Sequence, residues 1–277
     1  GAQVVILSDR RVGPGRAPGR PSLVRAAGAV LDAAAADVIR AAAGAGFDAV
    51  GLRVTGGHRL GSPTDLRRLA ADHGLSIHDV EVIRIGDPAS EPDEVVERAI
   101  ELGASAVLVV SDLADRAATT GRLAELVEGC RPLGLAVGLE YMAWTTPDHP
   151  DGAIAMAEAT GCTVVVDVLH HRRVGATVGD LERIVEAGVL GWLQVCGAPA
   201  RSTGDLAHEA RHRRLLPGDG ALPVVDLVAA VPASTPISVE VQSDELLSVP
   251  VDERARLLAR AARQLLARAG HEPSSTG

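Results

Sequence analysis

Short apolar runs alternate with amphipathic stretches along almost the whole chain, and that alternation leaves few folds open. Residues 48–54, 76–83, 105–110, 135–140, 163–167, 190–196 and 236–241 read as strands. Residues 32–45, 63–73, 92–102, 117–130, 150–160, 180–187, 223–230 and 252–269 read as the helices between and after them. Strands that are apolar throughout need cover on both faces. Gly46, Gly103 and Gly188 each close a helix just before the next strand, where glycine serves as a C-terminal cap. Unbroken alternation of this kind implies a parallel sheet, and eight such units close it into a single-domain (β/α)8 barrel. Two segments compete for the first strand, residues 4–7 and residues 22–27. Residues 1–21 are therefore an N-terminal extension, or a first strand with an Arg/Gly/Pro-rich loop; residues 22–269 form the barrel and residues 270–277 a flexible tail. An open doubly wound sheet would need a glycine-rich helix opener after its first strand. The segment Gly13 to Gly19 has the glycines, but Pro14 and Pro18 make it a poor opener.

Composition excludes several functions. The net charge of −9 argues against nucleic acid, which requires a basic face. No apolar run is of transmembrane length and no signal peptide is visible, so the expectation is a cytoplasmic protein without a membrane partner. All 27 basic residues are arginine, which removes Schiff-base lysine chemistry. Cys130, Cys162 and Cys196 are scattered and fit neither a disulfide framework nor a structural zinc site. Cys196 has no base beside it in sequence and reads as a small core residue.

Four of the apolar strands end in an oxygen donor: Glu140, Asp167, Gln194 and Glu240. A carboxylate ending an apolar strand is costly to desolvate unless something pairs with it. In a parallel barrel the strand ends share one rim, where active sites lie. Three carboxylates and an amide oxygen facing one another call for a hard divalent cation.

At these positions the chain resembles the xylose isomerase-like TIM barrel superfamily, also called the sugar phosphate isomerase/epimerase or type 2 AP-endonuclease family. The resemblance is carried by Gly46-Phe47-Asp48-Ala49-Val50-Gly51-Leu52-Arg53, Gly138-Leu139-Glu140, Val166-Asp167-Val168-Leu169-His170, and Arg214-Leu215-Leu216-Pro217-Gly218-Asp219-Gly220. It implies a metal set of Glu140, Asp167, Gln194 and Glu240. Gln194 stands where epimerases usually carry histidine and resembles certain 3-dehydroshikimate dehydratases; the harder ligand favours Mn²⁺ or Mg²⁺. Gly197 stands where many relatives have an acid. The resemblance also implies roles for His170 in catalysis and for Arg53, His58, Trp144 and Arg214 in substrate binding, with Tyr141 a weaker candidate and His171 turned away. By analogy alone it implies a homodimer.

Such a site supports proton abstraction next to a carbonyl, with the cation stabilising an enediolate and Glu140 and Glu240 flanking the substrate. The expectation is a metal-dependent isomerase or epimerase of a sugar or cyclic polyol. The alternative is a dehydratase of the 3-dehydroshikimate or keto-inositol type, in which His170 protonates the departing hydroxyl or starts the reaction as base. An AP endonuclease is disfavoured, because strand ends three and four offer Arg84 and Ser111 rather than histidines. A non-catalytic binding subunit is the reading from a different class.

Overall fold

The computed structural model describes residues 20–55, 60–202 and 204–271. Eight parallel strands, β1 (Leu23–Arg25), β2 (Ala49–Arg53), β3 (Ser76–Ile85), β4 (Ala106–Ser111), β5 (Ala136–Glu140), β6 (Thr163–Asp167), β7 (Leu190–Val195) and β8 (Ile237–Val239), close into a barrel in sequence order. The described first strand is therefore the later of the two candidates. It pairs with β2 on one side and β8 on the other. Residues 4–7 lie outside the described residues.

Helices α1 (Ala35–Ala45), α2 (Pro63–Asp72), α3 (Pro92–Leu102), α4 (Arg116–Cys130) and α5 (Pro150–Thr160) cover the first half. The second half carries α6 (Val168–Arg173), α7 (Val178–Glu186), α8 (Leu206–His212), α9 (Val224–Ala229) and α10 (Val251–Arg268). Gly46 and Gly103 take left-handed φ values of 76° and 69° at the ends of α1 and α3, a conformation that glycine adopts without steric cost. Thr177 opens α7 with a capping box, its hydroxyl accepting from the Asp180 amide while Asp180 accepts from the Thr177 amide.

Two helices were not predicted. Helix α6 starts at the tip of β6 with Asp167 as its N-cap, so the apolar run gives no warning of the change. Helix α8 lies inside the 197–220 segment, which reads as an insertion; at seven residues it is too short to establish a helical period. Helix α1 begins three residues later than the pattern suggests, at Ala35.

The main core lies between the outer face of the barrel and its helices, built almost wholly from Ala, Val, Leu and Ile. A second, small cluster fills the barrel itself: Ala106, Leu108, Val110, Met142, Val165 and Trp192. Trp192 is fully buried, and its ring occupies the space that a side chain at Gly138 would need. His78 meets this indole edge-on at 5.2 Å. The indole thus closes the barrel beneath the rim. Past α10, the His271 imidazole donates to the Val228 carbonyl at 2.8 Å, so the described tail is tied down to that point. Among the described residues no helix is long and apolar enough to cross a membrane.

Candidate active site

A pocket of about 210 Å³ opens at the C-terminal ends of the strands. Glu140, Gln194, Glu240, His170, Trp144, Arg53 and Arg214 all line it, so the fold brings together seven of the eight side chains expected there apart from Asp167. His58, the eighth, lies outside the described residues. Asp167 is buried beside the pocket.

The register explains the convergence. Asp167 and Gln194 are directly opposed on β6 and β7, and Gln194 opposes Ser238 on β8. Glu240 is two residues further along. One ligand atom each from Glu140, Asp167 and His170 lies within 4.8 Å of the others. His170 thus joins the carboxylates more closely than strand ends alone predict, because α6 turns it back over Asp167.

Asp167 is tightly held. One carboxylate oxygen accepts from the amides of Leu169 (2.8 Å) and His170 (3.1 Å), and the other pairs with Arg214 Nη1 at 2.5 Å. Both side chains of this pair are almost wholly buried. Burial pushes Asp167 up, but the Arg214 guanidinium, His170 and the hydrogen bonds to the carboxylate outweigh it and hold the group below its ordinary value. Glu140 and Glu240 go the other way. Burial, then repulsion from Glu240 and Asp167, raises Glu140 well above the usual carboxylate range. Burial is also the chief cause for Glu240, which is pushed up to about 7 against the pull of Arg214.

His170 is fully buried, and burial lowers it to about 4. Its Nε2 lies 3.4 Å from Arg214 Nη2, and a guanidinium can only donate, so Nε2 is the bare nitrogen of a neutral imidazole. Trp144 packs edge-on to it at 5.2 Å. His171 points away from the pocket, as expected. Its Nε2 donates to the Thr177 carbonyl and its Nδ1 accepts from the Tyr141 hydroxyl, so Tyr141 belongs to this support rather than to the pocket wall. Cys196 is buried and its thiol is pushed up to about 12, chiefly by burial, in keeping with a core role. At Gly197 any side chain would collide with the carbonyls of Leu216 and Asp219. The turn that follows Arg214 packs there, which accounts for the missing acid.

The structure adds residues that strand ends did not predict. Glu81 on β3 is buried, and one of its oxygens pairs with Arg53 Nη2 at 2.9 Å. Asp79, two residues earlier on the same inner face, is buried below it. Burial, then repulsion from Glu81 and Glu240, raises it well above its ordinary value. Arg84 and Arg211 also reach the pocket lining. Arg84 is paired with Asp112 at 2.6 Å. Guanidiniums thus line the pocket beside the carboxylates: Arg53 and Arg84 from β2 and β3, each paired with an acid, Arg214 against Asp167, and Arg211 from α8.

The donors suit a divalent cation. The Gln194 carbonyl oxygen is buried with no hydrogen-bond partner. Glu240 raises Glu140, and Glu81 and Asp167 raise Glu240, repulsions that a cation among these carboxylates would relieve. All four candidate ligands offer oxygen.

A family model described as "Xylose isomerase-like TIM barrel" matches residues 39–268. A 3-dehydroshikimate dehydratase of Pseudomonas aeruginosa strain PAO1 is 29% identical over 241 residues, covering 78% of this chain and 37% of that protein. The chain thus spans little more than a third of the length of this curated relative. Among solved structures, the IOLI protein with a bound zinc atom superimposes with a TM-score of 0.78 at 15% identity, covering 90% of this chain and 99% of the other. A xylose isomerase-like TIM barrel/4-hydroxyphenylpyruvate dioxygenase fusion protein gives 0.76 at 21% identity, covering 93% of this chain and 45% of the fusion. A D-psicose 3-epimerase gives 0.67 at 15% identity, covering 90% and 99%. These structural likenesses are likenesses of fold.

Proposed function

Because the chain belongs to the xylose isomerase-like TIM barrel family, we propose that its rim pocket is the active site of a divalent-cation-dependent dehydratase. Its substrate would be a small cyclic keto-polyol bearing a carboxylate, of the 3-dehydroshikimate kind. The observation that carries this reading is the number of guanidiniums that line the pocket alongside its carboxylates. A neutral sugar needs a cation site and hydroxyl partners, whereas a carboxylated ring also needs a guanidinium, which Arg211 offers, with Arg53 and Arg84 reaching the pocket from their pairs with Glu81 and Asp112. The dehydratase of Pseudomonas aeruginosa supports the same choice.

Glu140, Asp167, Gln194 and Glu240 would hold the cation. When bound, it supplies positive charge next to the substrate carbonyl and so makes the neighbouring C–H more acidic. An all-oxygen set favours Mg²⁺ or Mn²⁺. His170 is the one imidazole lining the pocket among the described residues, and its Nε2, which meets Arg214 at only 3.4 Å, can exchange that long contact for the proton. The imidazolium then returns it to the hydroxyl on the neighbouring carbon, which leaves as water. One group acting as base and then as acid works on one face of the ring, so the elimination is syn. Arg214 keeps Asp167 ionised and His170 oriented. Trp144 walls the ring from solvent.

Isomerase or epimerase chemistry is the second reading, favoured by Glu140 and Glu240, which reach the pocket from the separate strands β5 and β8. Purified protein loaded with Mg²⁺ or Mn²⁺ is incubated in D₂O with 3-dehydroshikimate, inososes and ketoses and followed by NMR. Loss of water with new aromatic or vinylic signals, absent in His170→Ala, is the expected result. Deuterium uptake without loss of water would move the assignment to epimerisation. Neither signal with any of these substrates would reject both readings.

A further inference from the structure

Where the barrel closes on itself, β1 ends in a buried cation with nothing against it. Arg25 lies two residues past Leu23, on the same outer face of β1, opposite Val50 of β2 and Val239 of β8. It is fully buried, and none of its three guanidinium nitrogens makes a hydrogen bond. Burial, then repulsion from Arg254, lowers it to about 9 against the pull of Asp32, so it is still cationic at neutral pH. Arg254 sits in the first turn of α10 and is buried too. Its two terminal nitrogens donate to the two oxygens of Asp32 at 2.8 and 2.9 Å, while its Nε is buried without a partner. Two guanidiniums thus share one carboxylate, and Arg254 has engaged it. Asp252 and Glu253 of the same turn are exposed, where water screens them. A buried cation without a counter-charge is costly, because nothing replaces its lost hydration. A water molecule would take the free N–H groups but leave the charge.

We infer that the unpartnered N–H groups of Arg25 and Arg254 hold a chloride ion, an anion site separate from the rim pocket. The charge count sets the valence. Two guanidiniums against one carboxylate leave one positive charge, which calls for one monovalent anion. Burial sets the size. With Arg25 at 0% exposure, a single-atom halide suits the enclosure, whereas an oxyanion brings several heavy atoms. The donors suit a halide as well, since it accepts N–H groups from any direction and needs no planar fork. The Asp32 side chain is 41% exposed, so the cluster lies one side chain from solvent. Asp32 also ends the segment that leads from β1 toward α1. In that segment Gly28 packs so closely against Glu240 and Gln242 that a side chain would collide with both, and Leu31 lines the rim pocket. An anion on Arg25 and Arg254 therefore ties the segment to α10 and steadies one wall of the rim.

The test exchanges chloride for gluconate at constant ionic strength and reads the melting temperature of the full chain. The parent should melt about 3 °C or more higher in chloride, because an ion that binds only the folded state stabilises it. Arg25→Met removes the uncompensated cation and should melt at the same temperature in both salts. Arg254→Met leaves Asp32 to neutralise Arg25 and should lose the dependence too, which keeps the test open if one variant folds poorly. Arg40→Met removes an exposed guanidinium on α1 and should respond to chloride as the parent does. Crystals soaked in bromide should show one anomalous peak beside Arg25, absent in Arg25→Met. Melting that ignores chloride in the parent, an undiminished response in Arg25→Met, or bromide found only at the surface overturns the assignment, leaving water on Arg25. Stabilisation by phosphate or sulfate that chloride does not reproduce overturns the halide and returns an oxyanion.

Discussion

Replacing Arg214 with methionine removes the guanidinium and keeps most of the stem. In the native protein this group lies 2.5 Å from Asp167, and both side chains are at most 2% exposed. Its removal strands a buried carboxylate next to Glu140 and Glu240. Two unit charges about 4 Å apart attract by roughly 4 kcal/mol at an effective dielectric of about 20. Breaking one partner of a buried pair typically costs about 3–5 kcal/mol. The two amide hydrogen bonds to Asp167 remain, which places the expectation toward the lower end, about 3 kcal/mol at pH 7.5. For a chain of this size that lowers the melting temperature by roughly 6–12 °C. The pH dependence gives a sharper check. Asp167 lies below its ordinary value in the native protein, so the stability it contributes is present above its unfolded value and is lost only as pH falls through the depressed one. In the variant, burial no longer has an opponent of equal strength, and Asp167 moves above its unfolded value. The gap between the two proteins should therefore be largest at neutral and alkaline pH and narrow as pH falls toward the carboxylate range. Urea unfolding of cation-free protein at several pH values from 4.5 to 8.5, with circular dichroism as the probe, reads this directly. A gap under 1 kcal/mol at pH 7.5, or one that does not change with pH, would refute the claim that Arg214 neutralises Asp167.

Further outcomes follow from other parts of the structure. Glu240 is raised to about 7, so its ionisation costs stability progressively from its unfolded value up to about pH 7. Cation-free Glu240→Gln should accordingly be more stable than the parent at pH 8 and lose that advantage at pH 5, while catalysis is abolished; denaturation midpoints at the two pH values decide it. Gly138→Ala drives a methyl group into the Trp192 ring and to 2.7 Å from Val165 Cγ2, so overpacking should cost about 1–3 kcal/mol by urea unfolding. Chelator treatment should abolish turnover and raise the measured ionisation of the carboxylate cluster, with Mg²⁺ or Mn²⁺ restoring activity. Retained turnover after exhaustive chelation would contradict the cation reading. Thr177→Ala loses a capping hydroxyl on α7 and should cost about 1 kcal/mol with little change in catalysis.

The strand ends were readable in the sequence because a parallel barrel puts every C-terminal tip on one rim. Glu140, Asp167, Gln194 and Glu240 need no knowledge of side-chain conformation to be grouped. The helix-closing glycines were readable for the same local reason. Asp79 and Glu81 were missed although a signal existed: two acids two residues apart in an apolar strand must share the inner face. Treating only the last residue of each strand as functional hid them. The grip of Arg214 on Asp167 could not be read, since it depends on how residues 197–220 fold back, and α8 is too short to reveal itself. The stacking of Trp192 over Gly138 is a contact between β5 and β7 across the barrel interior, which no local pattern encodes.

That indole has a consequence for traffic. With the barrel stoppered from below, the described pocket opens at the strand tips, and arriving and departing molecules share that mouth. A product that lingers keeps the next molecule out, so product should compete directly with substrate in steady-state kinetics. The pace of the cycle at saturation then belongs as much to the segments framing the doorway as to the groups at the bottom.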